Sequence, residues 1–412
     1  MCLSAIEVTA QTEVKRVLFV GNSYIYTNDM PAMVRQMAES VGDEIEYEQV
    51  TPGGASFMTQ CNSTGAMTSI CAGGWDVVVL QGQSQEPSFP WSQFMGQTFP
   101  YACRLADSVY ANNECAEVMY YMTWGRKNGD ASNAPYFDSL ATYEGMDNLL
   151  YERYMYMGRM NNASVCPAGR VWRKLREDHP EMELYSSDES HPSVIGTYAV
   201  ACAFYTMLFR KDPTLITTDL TLSAADAQVV REATKAVVYD TMWKYSCHAF
   251  LAAQQSGDSS QWQFECLSAV EPEVCQWEFG DGESSTELST THTYGEAGTY
   301  MVRLVAGKAC QPDTMTIEIE VTAGGSQDDP DNPTGNIEQA GMLVVSYGPN
   351  PAVSQITICV AKPTKIQIVD VNGVPRIGTE VTDKVRIEVS EWPNGVYLII
   401  ADGHCVGKVI KR

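Results

Sequence analysis

Two polar segments of the chain carry residue types that can perform nucleophilic catalysis. Ser23 lies in Gly21-Asn22-Ser23, and His191 follows Asp188 by three residues in the segment Asp188-Glu189-Ser190-His191-Pro192. A serine nucleophile needs a base that titrates near neutral pH, and histidine is the usual one. A nearby carboxylate can bond Nδ1 of the ring and stabilise the imidazolium. These residues predict acyl transfer; as alternatives, Ser23 caps a helix and the Asp-x-x-His pair is a chance feature of a surface loop.

Donors for a developing oxyanion follow two other apolar runs. Gly53 and Gly54 can expose a backbone N–H where a side chain would obstruct, and the backbone N–H of Ser23 can serve in the same way. The stretch from Gln81 to Gln85 offers side-chain amides. A tight turn explains the glycines equally well, and a polar loop explains the glutamines.

Alternating strands and helices must position these residues. Apolar runs bounded by Gly, Pro and Asn predict buried strands, and the unbroken valine run predicts a central parallel strand. Spacing typical of a helix follows the first strand over Met30–Val41. This alternation predicts an α/β domain with a parallel sheet, whose ligands bind at the carboxyl ends of the strands. The strands are expected at Lys15–Val20, Ile45–Val50, Trp75–Leu80, Glu117–Thr123 and Met182–Tyr185.

The order of these segments resembles that of the SGNH (GDSL-like) hydrolase superfamily over about residues 14–210. The resemblance implies a flavodoxin-like three-layer α/β fold, with Ser23 as nucleophile, His191 as base and Asp188 as its orienting carboxylate. It also implies an oxyanion hole formed by the N–H of Ser23, the N–H of Gly54 or Gly53, and one side-chain amide.

The chain departs from the family pattern at two of these segments. The first block reads Gly-Asn-Ser instead of Gly-Asp-Ser, and the third lacks Gly-x-Asn-Asp. Gln85 occupies the place of that Asn, whereas Gln81-Gly82 resembles the Gln-Gly-Glu block of the carbohydrate acetylesterase branch. Either glutamine can therefore be the third donor.

Asn22 and Trp124 are expected at the substrate cleft, with a core position for Trp124 as the alternative.

Two further regions have the short alternating strands of all-β sandwich modules. Residues 277–282 read WEFGDG and are followed by His292-Thr293-Tyr294, which resembles a PKD domain and makes His292 a fold residue. Residues 347–352 read YGPNPA, and Trp392–Tyr397 and a basic C-terminus follow. This combination resembles the C-terminal sorting domain of the type IX secretion system, which implies export across both membranes. The alternative is a further β-sandwich with no export role.

Composition excludes several classes of function. The 412 residues carry a net charge of −24, which argues against nucleic acid as a partner because phosphate binding needs a basic surface. No apolar stretch approaches the roughly 18 residues of a membrane span. No Cys/His cluster has the spacing of a zinc site, so we expect no metal, and we expect no cofactor.

Cysteine usage favours an oxidising compartment, since the chain has 13 cysteines. The close pairs Cys61/Cys71, Cys103/Cys115 and Cys266/Cys275 can bridge, although buried apolar thiols are an equal alternative for any one pair. The odd total leaves at least one free thiol.

Small residues at Val8-Thr9-Ala10 resemble a cleavage site, so we expect residues 1–13 to be the remnant of a leader.

The sequence thus predicts a multidomain serine esterase, secreted or attached to the outer surface after passing the periplasm of a Gram-negative bacterium. The expected boundaries are 14–256 for the hydrolase, 257–323 for the PKD-like module, 324–341 for a linker and 342–412 for the sorting domain. The leading substrate is an O-acetyl group on carbohydrate. Lipase, thioesterase or arylesterase activity on the same triad, or a non-catalytic surface protein that binds carbohydrate or protein, are the alternatives.

Overall fold

The computed structural model describes residues 14–255 and 260–322, and of the C-terminal part residues 345–348, 355–360, 364–370, 375–382, 384–390, 392–393, 395–401 and 404–411. The chain divides into two compact units, Met1–Gly325 and Ser326–Arg412. The expected leader and the expected linker lie outside the described residues.

A five-stranded parallel sheet organises the first unit. Its strand order is β2-β1-β3-β4-β5, which is the flavodoxin-like order expected for the hydrolase domain, so the predicted fold class is confirmed. Strand β3 is buried throughout and β1 is buried over residues 17–20, whereas the edge strand β2 exposes Glu46 and Glu48. Charged residues on an edge strand oppose pairing with another chain. The strands are β1 Lys15–Val20, β2 Ile45–Val50, β3 Val77–Leu80, β4 Glu117–Tyr121 and β5 Ser164–Cys166.

Helices cover both faces of this sheet and complete three layers. On one face α2, α8 and α10 pack against α9, and on the other α3, α4 and α7 pack against α6. Helix α9 is apolar on all sides and almost fully buried, as expected for a helix in the centre of its layer. The helices are α1 Ser23–Tyr26, α2 Met30–Glu39, α3 Phe57–Cys61, α4 Thr64–Ala72, α5 Trp91–Gln93, α6 Phe99–Asn112, α7 Tyr143–Met160, α8 Ala168–Asp178, α9 Val194–Phe209 and α10 Ala224–Thr234.

The segment Met182–Tyr185, expected to be a strand, is not one. Only Tyr185 forms an isolated bridge, with Pro192, and the fifth strand is instead the short Ser164–Cys166. Glu183 explains part of the difference because its carboxylate accepts the backbone N–H of Tyr185, at 3.0 Å, in place of a neighbouring strand. The segment therefore supports the base of the loop that carries His191.

The second part of the first unit is a β-sandwich of two antiparallel sheets, ordered β10-β7-β6 and β12-β11-β8-β9. Phe264 and Trp277 fill its core. Strand β6 belongs to this module, so the sandwich begins before residue 257, the start predicted from the sequence. The strands are β6 Phe250–Gln255, β7 Gln261–Leu267, β8 Val274–Glu278, β9 Ser284–Ser285, β10 Ser289–Thr293, β11 Gly298–Lys308 and β12 Gln311–Val321.

The turn between β11 and β12 joins this sandwich to the α/β domain. Cys310 in the turn forms a disulfide with Cys115, at a Cα–Cα distance of 5.9 Å, and Nζ of Lys308 donates to the carbonyl oxygen of Ala116 at 2.9 Å. Because Cys115 pairs with Cys310, 195 residues away, the expected Cys103/Cys115 pair is not formed. The members of the other two expected pairs, Cys61/Cys71 and Cys266/Cys275, are free thiols in this structure.

The second unit is a further pair of antiparallel sheets, ordered β13-β14-β17 and β16-β15-β18-β19. Alternating isoleucines such as Ile356, Ile358, Ile366 and Ile368 form its buried core. The strands are β13 Val345–Gly348, β14 Gln355–Val360, β15 Thr364–Asp370, β16 Pro375–Val381, β17 Lys384–Glu388, β18 Gly395–Ala401 and β19 His404–Lys411. Within the described residues, no helix combines the length and the apolar character needed to cross a bilayer.

Removing the disulfide should destabilise the first unit. A protein with both Cys115→Ser and Cys310→Ser should lose about 2–5 kcal/mol of unfolding free energy, because a long loop of the unfolded chain is no longer closed. Urea denaturation under non-reducing conditions measures this loss. Cys71→Ser, which changes an exposed free thiol, is the matched control. Equal urea denaturation midpoints for the wild type, the double variant and Cys71→Ser would contradict a disulfide between Cys115 and Cys310.

Candidate active site

Ser23, His191 and Asp188 form one hydrogen-bonded chain at the carboxyl end of the parallel sheet. Nε2 of His191 lies 2.8 Å from Oγ of Ser23, and Nδ1 lies 2.5 Å from Oδ2 of Asp188. With the Nδ1 proton facing the carboxylate, Nε2 is free to accept the serine proton. Ser23 is half-buried, and the His191 side chain retains 36% exposure, so a substrate can approach both.

The end of strand β1 fixes Ser23, the predicted nucleophile. The chain turns sharply after Val20, and Ser23 is the first residue of the short helix α1. Asn22 is the N-cap of that helix, since its Oδ1 accepts the backbone N–H of Tyr24 at 3.1 Å. The capping alternative therefore applies to Asn22, which leaves the Ser23 hydroxyl available to His191.

Asn22 also connects the loops that follow three neighbouring strands. Its Nδ2 donates to the carbonyl oxygens of Ala55, at 3.0 Å, and Gly82, at 3.1 Å, which follow β2 and β3. Its backbone N–H donates to Oε1 of Gln81 at 3.0 Å. Only 2% of Asn22 is exposed, so the side chain expected to bind substrate instead holds the site together.

The amide of Gln81 faces the interior. Its Nε2 donates to the carbonyl oxygen of Gly82, and the residue has no exposed surface. Gly21 leaves room for it, because a Cβ there would lie 2.6 Å from Oε1 of Gln81. The Nε2 of Gln85, the other expected donor, is held by Asp130 at 2.6 Å. In this structure each of these side-chain amides thus donates one hydrogen bond within the protein.

Backbone groups remain as free donors near Ser23. Within the described residues, neither the N–H of Ser23 nor that of Gly54 has a hydrogen-bond acceptor. Gly54 is exposed and has a φ of +67°, a conformation that favours glycine. The loop that follows β2 therefore carries a free backbone N–H at the same end of the sheet as Ser23.

A column of aromatic rings supports the histidine. Tyr24 meets the His191 ring edge to face at 5.2 Å and stacks on Trp124 at 4.9 Å, and Trp124 stacks on Trp172 at 3.7 Å. Nε1 of Trp124 donates to the carbonyl oxygen of Ser190 at 3.1 Å, which anchors the loop of the histidine. Trp124 has no exposed surface and therefore lies in the core. The core position was the alternative to its expected place at the substrate cleft.

Sequence reasoning missed Tyr24, Trp172 and Ser190 as supports of the site. The phenol oxygen of Tyr24 lies 2.6 Å from Oγ of Ser190, which joins α1 to the histidine loop. None of these three residues belongs to a recognisable motif. The sequence indicates a role at the site only for Tyr24, which is next to Ser23, and for Ser190, which is next to His191.

The electrostatics of Asp188 suit an orienting carboxylate. Burial acts to raise the pKa of Asp188, but hydrogen bonds from the His191 ring and from the backbone N–H groups of His191 and Ser190 outweigh it, and the net pKa lies below the usual range. Asp188 therefore stays ionised and can stabilise an imidazolium. Such an arrangement can remove the proton of Ser23 and return it to a leaving group.

A second carboxyl, Glu86, lies buried beneath this site. It accepts the backbone N–H groups of Phe57, at 3.2 Å, and Gln83, at 2.9 Å, and so joins the loops that follow β2 and β3. Burial raises its pKa to about 7, against the opposing effect of these hydrogen bonds.

Family models match two segments outside the α/β domain. Residues 252–323 match the PKD domain, and residues 347–411 match the secretion system C-terminal sorting domain. These matches confirm what the motifs indicated for both modules. In the PKD domain His292 stacks on Phe279 at 4.2 Å and bonds Asp281, so it has the expected structural role.

No curated protein matches the chain. Among solved structures, a DUF4886 family protein from Bacteroides uniformis is 14% identical, with a TM-score of 0.48 over 55% of this chain and 96% of that one. A family 3 carbohydrate esterase from Clostridium thermocellum is 11% identical, with a TM-score of 0.31 over 47% and 94%. The PKD1 domain of the Vibrio cholerae metalloprotease PrtV is 24% identical, with a TM-score of 0.17 over 18% and 99%.

The raised pKa of Glu86 predicts a pH-dependent stability. The folded protein holds this proton up to about pH 7, whereas the unfolded chain releases it near pH 4.5. The free energy of unfolding should therefore fall by up to about 3 kcal/mol from this group as the pH rises through that window. Glu86→Gln should remove this part of the fall, as measured by urea denaturation at a series of pH values.

The matched control is Glu48→Gln on the exposed edge strand. It should retain the pH dependence of the wild-type protein. If the free energy of unfolding changes with pH in the same way in the wild type and in Glu86→Gln, burial does not raise the pKa of Glu86.

Proposed function

We propose that the protein is an exported serine ester hydrolase. The observation that carries the proposal is the continuous contact from Ser23 through His191 to Asp188, with distances of 2.8 and 2.5 Å. Ser23 is the nucleophile, His191 the general base and Asp188 the group that orients the ring and stabilises its charged form. The position of the three residues at the carboxyl end of a parallel sheet supports this assignment.

The proposed reaction has two stages. Nε2 of His191 takes the proton of Ser23 as Oγ attacks the ester carbonyl, and the imidazolium returns that proton to the departing alcohol. The resulting acyl-enzyme is released by a water molecule that His191 deprotonates in its turn. The backbone N–H groups of Ser23 and Gly54 stabilise the oxyanion, and reorientation of the Gln81 or Gln85 amide would supply a third donor.

An O-acetyl group on carbohydrate is the proposed substrate. The Gln81-Gly82 pair supports it through its resemblance to the acetylesterase branch, and the carbohydrate esterase among the similar structures is consistent with it. The PKD domain suits work on a polymer outside the cell. Because fold does not fix substrate, the acyl and alcohol groups must be tested directly.

The C-terminal sorting domain supports export. We propose that type IX secretion machinery carries the chain from the periplasm of a Gram-negative bacterium to the outer surface or the medium, with removal of the sorting domain. The disulfide between Cys115 and Cys310 suits such an oxidising route.

Replacing the nucleophile should abolish ester hydrolysis. Ser23→Ala should lower kcat/KM for p-nitrophenyl acetate by about three orders of magnitude or more, because no acyl-enzyme can form. Ser108→Ala, which changes a hydroxyl on helix α6 away from the site, should retain wild-type activity. If wild type and Ser23→Ala both match the background rate, the protein is a non-catalytic binding protein.

Replacing Asp188, the orienting carboxylate, should slow the chemical step and have little effect on substrate binding. Asp188→Asn should lower kcat by about 10³-fold to 10⁴-fold with a small change in KM, because the amide favours the wrong tautomer of His191. Steady-state kinetics on the same ester measure both constants. An unchanged kcat would remove Asp188 from the triad.

The acyl chain length distinguishes an acetylesterase from a lipase or thioesterase. An acetyl group needs only the space beside Ser23, whereas a long acyl chain needs an apolar groove. We expect kcat/KM to be highest for p-nitrophenyl acetate and to fall with butyrate and octanoate. A preference for octanoate would contradict the acetyl assignment and leave the triad itself in place.

A further inference from the structure

Three different metal-binding side chains meet at the end of the sheet opposite the triad. Glu117 is the first residue of β4, and Cys247 and His248 precede β6. A carboxylate oxygen, the thiol sulfur and an imidazole nitrogen of these residues all lie within 4.8 Å of one another. Glu117 and Cys247 are buried and His248 is half-buried. The triad follows the carboxyl ends of the strands, so the two sites are at opposite edges of the same sheet.

The imidazole of His248 is held in the orientation that a metal ligand requires. Its Nδ1 lies 2.8 Å from Oδ2 of Asp313, and its Nε2 is directed toward Glu117. A carboxylate on one ring nitrogen fixes the tautomer and raises the basicity of the other, as in carboxylate–histidine–zinc arrangements. Arg210 in turn donates to Oδ1 of Asp313 at 2.6 Å.

The carboxylate of Glu117 has an unused buried oxygen. Glu117 is 8% exposed, and among the described residues no donor reaches its Oε1. A buried acceptor without a partner is costly, and a cation bound by both carboxylate oxygens of Glu117 would supply the missing partner of Oε1. The thiol of Cys247 also has a neighbour that can orient it, because Ser164 Oγ lies 3.3 Å from its sulfur.

We propose that Glu117, Cys247 and His248 bind a Zn²⁺ ion. The separation of 3.2 Å between Nε2 of His248 and Oε2 of Glu117 is close to the roughly 3.3 Å expected for two ligand atoms about 2.0 Å from a tetrahedral zinc. The Cys247 sulfur completes three ligands when it moves to about 2.3 Å from the ion. Cys247 binds as the thiolate, so its proton leaves to solvent as the metal–sulfur bond forms.

One thiolate, one imidazole and one carboxylate together favour zinc over calcium and magnesium. Calcium and magnesium prefer oxygen ligands alone, whereas zinc takes sulfur, nitrogen and oxygen together. The His248 side chain keeps 27% exposure, so a water molecule can reach the fourth position.

The site would stabilise the junction between the α/β domain and the PKD domain. Glu117 belongs to the parallel sheet, and Asp313, which orients His248, belongs to β12 of the sandwich. The ion would therefore act beside the Cys115–Cys310 disulfide. The competing arrangement is a protonated His248 that pairs with both carboxylates and needs no metal.

Cobalt substitution tests the proposal on the full chain, in untagged form, after removal of metal with a chelator. Co²⁺ added to the wild-type protein should bind one ion per chain and give the charge-transfer absorption of a cobalt–thiolate bond. Cys247→Ser should lose this band, whereas Cys202→Ser, which removes a buried thiol on α9, should retain it. Triad activity should persist in both variants and serves as the check that they fold.

Zinc affinity and stability provide independent measurements. Asp313→Asn should weaken Zn²⁺ binding by about 10-fold to 100-fold in a competition titration, because the orientation of His248 is lost. Saturating Zn²⁺ should raise the Tm of the wild-type protein by about 3 °C or more and leave Cys247→Ser unchanged. No thiolate band in the wild type, or an equal band in Cys247→Ser, would overturn the proposal and favour the ion-paired histidine.

Discussion

The geometry of the candidate active site depends on one buried amide, that of Asn22. A parallel sheet brings the ends of β1, β2 and β3 side by side, but it does not fix the loops that follow them. The side chain of Asn22 does so, because it caps α1 and donates to the loops at Ala55 and Gly82. With three hydrogen bonds satisfied in a nearly dry environment, each loop has a defined position relative to Ser23.

Support for the base comes from packing. The imidazole of His191 lies on a loop that exposes Asp188, and solvent-facing loops are usually mobile. Here the stacked rings of Tyr24, Trp124 and Trp172 extend from that loop into the core of the domain. The aromatic column limits the movement of the ring through dispersion and shape, while the carboxylate limits its rotation.

The two ends of the sheet carry different groups of side chains. The carboxyl ends of the strands carry the triad, and the other end carries the disulfide and the cluster around His248 that join the PKD domain. Attachment at that end keeps these contacts away from the sheet edge that carries Ser23 and His191. It also connects the PKD domain to the α/β domain through a disulfide and through ion pairs of Asp313 with Arg210 and His248.

Local information in the sequence was sufficient for much of this protein. Apolar runs between turn residues located four of the five parallel strands, since a buried strand needs an uninterrupted apolar stretch whatever surrounds it. The order of polar segments after those strands selected Ser23, Asp188 and His191, which the fold then brings into contact. The PKD and sorting modules were recognisable because their turns require particular residues at fixed spacing.

The tertiary structure alone decided the contacts between residues that are distant in the chain. It placed the amide of Gln81 in the interior and Trp124 in the core, because burial depends on what packs from other elements. It paired Cys115 with Cys310 and brought Glu117 to His248, which no local spacing indicates. A sequence specifies which groups are available, but chain folding sets the distances between them, and hydrogen bonds, disulfides and metal ligation depend on those distances.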